Sequence, residues 1–141
     1  MTDLYLISCV AKKRDRAVPA KDLYVSEWFC KAREYVESRS GIWYILSAKL
    51  GLVAPDQVVE PYDQTLNRMP IAERRAWAHR VRNQMDEQLP SGPSEEVRCI
   101  VLAGSRYREF LMEYLNGRFV VEIPMEHLAI GKQLQWLTKR R

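Results

Sequence analysis

Leu4-Tyr5-Leu6-Ile7-Ser8-Cys9 is an apolar run that gives way to a hydroxyl and a thiol, and the same change recurs twice further on. Trp43-Tyr44-Ile45-Leu46 leads into Ser47-Ala48-Lys49, and Cys99-Ile100-Val101-Leu102 leads into Ala103-Gly104-Ser105. Apolar runs of this length without alternation suit strands covered on both faces, the usual state of a parallel sheet. In such a sheet every strand's C-terminal end lies on one edge, and open α/β folds bind their ligands there. Ser8, Lys12, Ser47, Lys49 and Gly104 are therefore expected around one concave pocket. Hydroxyls, lysines and a glycine gathered in that way suit an anionic, polar ligand such as a nucleotide or nucleic acid.

The segments between these runs read as helices and loops. Ser26 is a good N-cap, and Phe29, Ala32, Arg33, Val36 and Glu37 follow helical spacing, predicting a helix that ends near Gly41. Residues 51–69 hold two prolines and show no clear period, so they read as a long binding loop or lid. Pro70 opens a second helix that runs toward Leu89, and Pro90-Ser91-Gly92-Pro93 breaks it. The third strand covers about 98–103, and a helix follows from Arg106 to about Leu115. Phe119-Val120-Val121-Glu122-Ile123 is a fourth strand stopped by Pro124, and Ile130 to Lys139 forms a last amphipathic helix. Strands alternating with helices predict a single α/β domain over residues 1–141: a three-layer sandwich around a mostly parallel, four-stranded sheet.

Composition fits that reading. The chain has 141 residues, 47% hydrophobic and 28% charged, as expected of a globular domain that buries one substantial core. No apolar run approaches the ~18 residues of a membrane span, and Met1-Thr2-Asp3 lacks a signal-peptide pattern, so no leader is expected. No membrane association is expected, and the expected location is the cytoplasm. Cys9, Cys30 and Cys99 form no CxxC pair, so neither a zinc site nor a disulfide framework is predicted, and Cys30 and Cys99 read as small buried hydrophobes. His79 and His127 lack ligand spacing and read as surface or helix residues; no metal and no cofactor are expected. The net charge of +4 is unevenly spread. Lys12, Lys13, Arg14 and Arg16 cluster after the first strand; Arg74, Arg75, Arg80 and Arg82 lie on a helix; Lys139, Arg140 and Arg141 close the chain. Such runs permit nucleic-acid binding and also suit an ordinary solvated face.

Several residues could carry chemistry. Lys12 and Lys13 are placed to hold phosphate, and Lys49, so close to a buried strand, must snorkel toward the crevice or pair with a carboxylate. In Glu60-Pro61-Tyr62-Asp63 two carboxylates flank an aromatic ring that Pro61 stiffens in place. These acids could orient water or stabilise a cationic transition state, or serve as partners of Lys49 or Lys12. Asp22 could be a turn acceptor or a site acid, and Tyr24 a core aromatic or a stacking ring. Gly104-Ser105 ahead of a helix is a mild anion-site signal. No G-x-x-x-x-G-K-[ST] or G-x-G-x-x-G pattern occurs, which disfavours the common mononucleotide and dinucleotide folds.

Ile7-Ser8-Cys9…Lys12-Lys13, Ala20-Lys21-Asp22-Leu23-Tyr24-Val25-Ser26…Phe29 and Trp43 through Leu52 together resemble a YaaA-like bacterial and phage domain family of unknown function. Glu60-Pro61-Tyr62-Asp63, Leu102-Ala103-Gly104-Ser105…Tyr107 and Pro124…Leu128-Ala129-Ile130-Gly131…Trp136-Leu137 continue the resemblance along nearly the whole chain. That family is distantly similar to a domain of archaeosine synthase and to the uracil-DNA-glycosylase superfamily. The resemblance implies a glycosylase-like sandwich, work on modified bases or nucleic acid, and a place for Tyr107 in the site.

The resulting expectation is a base-directed enzyme, a DNA glycosylase-type hydrolase for a modified or damaged base, in DNA repair or anti-phage defence. It would flip the base from the duplex, with DNA as partner. Asp63 or Glu60 would stabilise the transition state, with Asp22 as the next candidate, and Lys49 would stabilise the departing base. Tyr62 or Tyr24 would stack on the base; Ser8, Cys9, Lys12, Lys13, Ser47, Gly104, Ser105 and Tyr107 would complete the binding surface. Two alternatives stand beside it: a non-catalytic nucleic-acid or nucleotide-binding module, and a transferase acting on a free modified nucleoside.

Overall fold

The computed structural model describes residues 2–8, 13–39, 41–89 and 97–140. Its centre is a five-stranded sheet. β1 (Thr2–Ser8) lies in the middle, with β3 (Ile42–Ser47) and then β4 (Gly51–Val53) on one side, and β6 (Val97–Leu102) and then β7 (Val120–Glu122) on the other. β1 pairs in parallel with β3, Leu4 opposite Ile42 and Ser8 opposite Leu46, and in parallel with β6, Thr2 opposite Val97 and Ile7 opposite Leu102. β7 continues parallel to β6, and β4 is antiparallel to β3. A separate two-stranded ribbon joins β2 (Val18–Pro19) to β5 (Val58–Val59).

Alternate residues of each strand feed two different cores, which is why the strands carry no polar alternation. Leu4, Leu6, Leu46, Cys99 and Val101 pack on one face against Trp77, Ala78, Val81 and Met85 of α3 (Ile71–Gln88), with Tyr107 of α4 (Ser105–Arg108) and Leu115 of α5 (Met112–Arg118). Tyr5, Ile7, Ile45, Ile100 and Leu102 pack on the other face against Phe29, Ala32, Tyr35 and Val36 of α2 (Glu27–Glu37) and Leu137 of α6 (Ile130–Arg140). Fully burying one such aliphatic side chain stabilises by about 1.5–3 kcal/mol, so the alternation itself specifies the three layers.

The expected mostly parallel sheet is present, but it has five strands rather than four. The fifth, β4, falls in the stretch read as a loop. Three residues are too few to show a period, and the strand starts at Gly51, whose φ of 80° lets the chain reverse directly after β3. That stretch also contains β5 and a 3-10 turn, η1 (Leu66–Arg68). The first helix stops at Glu37 instead of continuing to 41; Ser26 caps its start, its hydroxyl accepting from the Phe29 amide at 3.2 Å. A short helix α1 (Ala20–Leu23) precedes it. The helix expected at 106–115 is two pieces, α4 and α5, separated at 109–111. Cys30 is exposed on α2, contrary to expectation, while Cys99 is buried as expected.

The arginines of α3 form a packing seam. Arg74 pairs with Glu109 and donates to the Met69 carbonyl, Arg75 lies 4.4 Å from the Phe110 ring, and Arg82 lies 5.5 Å from the Tyr114 ring. They fasten α3 to the α4–α5 unit.

Candidate functional site

Because β3 and β6 flank β1 on opposite sides, the chain changes direction across the sheet there, and a crevice opens beyond the C-terminal end of β1. That crevice is a cleft of about 370 Å³. Its wall takes Ser8 from the end of β1, Ser26 and Trp28 from the start of α2, and Asn67 from η1. Gly104 and Tyr107 come from just past β6, and Ile130 and Gln133 from α6. Two aromatic residues and an aliphatic one supply the apolar part of the lining, while hydroxyls and amides supply directional polar groups, the usual make-up of a small-molecule site.

These walls are held by their own bonds. The Trp28 indole donates to the Gln133 side-chain oxygen at 2.8 Å, and the Gln133 amide donates in turn to the Leu128 carbonyl at 2.8 Å. Tyr107 is buried and stands edge-on to Trp77 with ring centres 5.6 Å apart. A second cavity of about 230 Å³ shares Trp28, Gly104 and Gln133 with the first and adds Ser105, Arg108, Met125, Glu126 and His127. Arg108 donates to the Ala103 carbonyl at 3.0 Å and to Glu126 at 3.2 Å. His127 sits beside them with a φ of 72°, a left-handed conformation uncommon outside glycine.

Beside the cleft lies a hydrogen-bonded cluster built from residues distant in sequence. Tyr24 and Tyr62 share a bond between hydroxyls at 2.7 Å, and the Ser47 hydroxyl donates to Tyr62 at 2.8 Å. Ser47 also accepts from the Leu50 amide at 3.1 Å, while its carbonyl accepts from the Trp77 indole at 2.8 Å. The Lys13 ammonium lies 4.5 Å from the centre of the Tyr62 ring and 5.8 Å from that of Tyr24. The Glu60–Asp63 segment is thereby anchored through its tyrosine to the ends of the sheet.

The residues singled out in the sequence thus divide. Ser8, Gly104 and Tyr107 meet in the larger cleft, and Ser105 lines the smaller one. Lys13, Tyr24, Ser47 and Tyr62 form the neighbouring cluster, in which Tyr24 and Ser47 are buried and Tyr62 is half-buried. Of the pocket expected around Ser8, Lys12, Ser47, Lys49 and Gly104, the described residues do not form a single site. After Ser47 the chain turns back into β4 and carries Lys49 to a separate groove of about 410 Å³, lined also by Gln64, Glu73, Trp77 and Arg80. The Arg80 guanidinium holds the Lys49 carbonyl there at 2.7 Å. Asp22 is ion-paired with Arg33 at 2.8 Å, and Glu60 and Asp63 are exposed. Cys9 and Lys12 lie outside the described residues.

Trp28, Asn67, Gln133, Arg108, Glu126 and His127 carried no local signal of a site. A tryptophan two residues past an N-cap and a glutamine on an amphipathic helix are ordinary in their own segments. Only the packing of α2 and α6 over one sheet face brings them to the strand ends. Among the described residues, no group of three His, Cys, Asp or Glu side chains is arranged to hold a metal ion, and no helix is long and apolar enough to cross a membrane.

Fold and site together define an α/β protein with a mostly parallel sheet and a switch-point cleft of aromatic rings, hydroxyls and amides. Comparison with known proteins narrows this: the chain belongs to a family of unknown function, DUF6884, which it matches over residues 4–139. It is 29% identical over 147 residues to the uncharacterized protein YfjM of Bacillus subtilis (strain 168), spanning 99% of this chain and 95% of that protein. No solved structure matches it.

Proposed function

We propose that this protein recognises a nucleobase in the switch-point cleft and cleaves the N-glycosidic bond of a modified or damaged base in nucleic acid, with DNA favoured, in the cytoplasm. The convergence of Trp28, Tyr107, Asn67, Gln133, Ser8 and Gly104 carries the reading. Apolar walls accept the faces of a heteroaromatic ring, and amides and hydroxyls address its edge; a base in a duplex must be extruded to reach them. The resemblance to YaaA-like and uracil-DNA-glycosylase proteins supports the same ligand class. In the reaction the C1′–N bond breaks and its electron pair leaves with the base. Water then supplies hydroxyl to C1′ and a proton to the base. A carboxylate stabilises the oxocarbenium-like sugar on the way. Asp63 and Glu60 take that role in this proposal, flanking the ring that anchors their segment at the strand ends.

The test is mass-spectrometric detection of free base after incubation with modified and unmodified DNA. Wild type should release base, and Asp63→Asn or Glu60→Gln should abolish release while DNA binding persists. Binding should also weaken steeply with salt, because neutralised phosphates release counterions. A folded wild-type protein that releases no base from any substrate refutes the enzymatic reading. The second reading, a binding module without catalysis, is favoured by two observations: Asp22 is taken up by Arg33, and Glu60 and Asp63 lie outside the lining of the cleft.

A further inference from the structure

The two cavities at the sheet edge share three residues and differ in chemistry. The larger is walled by Trp28, Tyr107 and Ile130 with neutral polar groups between them. The smaller brings together the Ser105 hydroxyl, the Arg108 guanidinium, the Glu126 carboxylate and the His127 imidazole. We propose that they form one bipartite nucleoside site, the larger taking the base and the smaller its sugar; this rests on the base-recognition reading above and not on its carboxylate assignment, since Glu60 and Asp63 line neither cavity.

Three observations lead there. The smaller cavity is charge-balanced, since Arg108 is already answered by Glu126 at 3.2 Å. A phosphate would have to contend with that carboxylate, whereas a sugar hydroxyl can donate to it and accept from Ser105 or Arg108. Next, the partition between the cavities is fixed: the Trp28 indole is bonded to Gln133, and Gln133 to the Leu128 carbonyl. The third is Gly104 itself. Its φ of −68° and ψ of 165° are open to any residue, and a β-carbon built there would meet no protein atom within 4 Å. Neither backbone conformation nor lack of room demands glycine here, although it also caps α4. The bare backbone instead leaves open the wall that both cavities share, where a ligand spanning base and sugar would cross.

Calorimetric titration with matched probes tests the proposal: adenine against adenosine, guanine against guanosine, uracil against uridine. At least one nucleoside should bind about tenfold or more tightly than its free base, the worth of a hydrogen bond to a charged group. Glu126→Gln should bring that pair within about twofold without weakening the base. Gly104→Val should abolish nucleoside binding at a melting temperature lowered by no more than the few degrees that losing a glycine N-cap of α4 accounts for, with Gly104→Ala as the milder companion. Equal affinity for base and nucleoside, binding of neither, displacement of the nucleoside by inorganic phosphate, or a preference that survives both variants overturns the bipartite site. Base release from DNA that is indifferent to Glu126→Gln would sink this inference and spare the proposed activity. A nucleoside preference that Glu126→Gln erases, without base release, would do the reverse.

Discussion

Tyr62→Phe removes one oxygen atom and keeps the ring, so it separates two roles for this residue. In the structure that hydroxyl joins Tyr24 at 2.7 Å to Ser47 at 2.8 Å, tying the Glu60–Asp63 segment to the buried end of β3. Ser47 has no exposed surface, so its hydroxyl cannot regain the lost partner from bulk water. Two hydrogen bonds of ordinary strength come to about 2 kcal/mol. A 141-residue chain has an unfolding entropy of roughly 0.3 kcal/mol/K, so Tm should fall by about 7 °C. Thermal unfolding followed by circular dichroism measures this directly. If Tyr62 instead serves to stack on a base, the phenylalanine ring still stacks and ligand affinity is kept. A fall in Tm of less than about 1 °C would refute the reasoning that this hydroxyl is a structural anchor.

Other expectations follow from particular contacts. Asp3 accepts from Arg98 across β1 and β6 at 2.7 and 3.0 Å, and this bonding holds its carboxyl below the ordinary carboxylate range. A lowered folded value means that the stabilisation is complete above about pH 4 and is lost as pH falls through the folded value; Asp3→Asn should flatten this acid limb of a Tm–pH curve. Burial pushes the Cys99 thiol up to about 12, while Cys30 is exposed. In a Cys9→Ser variant at about pH 8, a thiol reagent should therefore modify one cysteine quickly and the other only on unfolding; two fast thiols would contradict the packing. Gly51→Ala puts a side chain at a φ of 80° and against the Gln84 amide that bonds Leu50 and Leu52. Its Tm should fall by about 3–7 °C, and an unchanged Tm would argue against the β3–β4 turn.

The sequence by itself determined the layered α/β class. Leu4-Tyr5-Leu6-Ile7 and Cys99-Ile100-Val101-Leu102 are short, bounded runs apolar at every position, as a strand with a core on each face requires. From the parallel sense it also follows that Ser8 and Gly104 share an edge, which needs no knowledge of side-chain contacts. Tertiary structure decided the rest. β4 rests on a single glycine turn and on pairing with β3, so its three residues carry no pattern of their own. Whether Lys49 faces the cleft depended on which way the chain left β3, a matter settled by Arg80 and Gln84 on a helix some thirty residues away. Trp28, Gln133, Glu126 and Gly104 become neighbours only because α2, α6 and the chain following β7 pack over the same strand ends. Periodicity encodes which face of an element is buried; which side chains meet across elements depends on docking that no local stretch records.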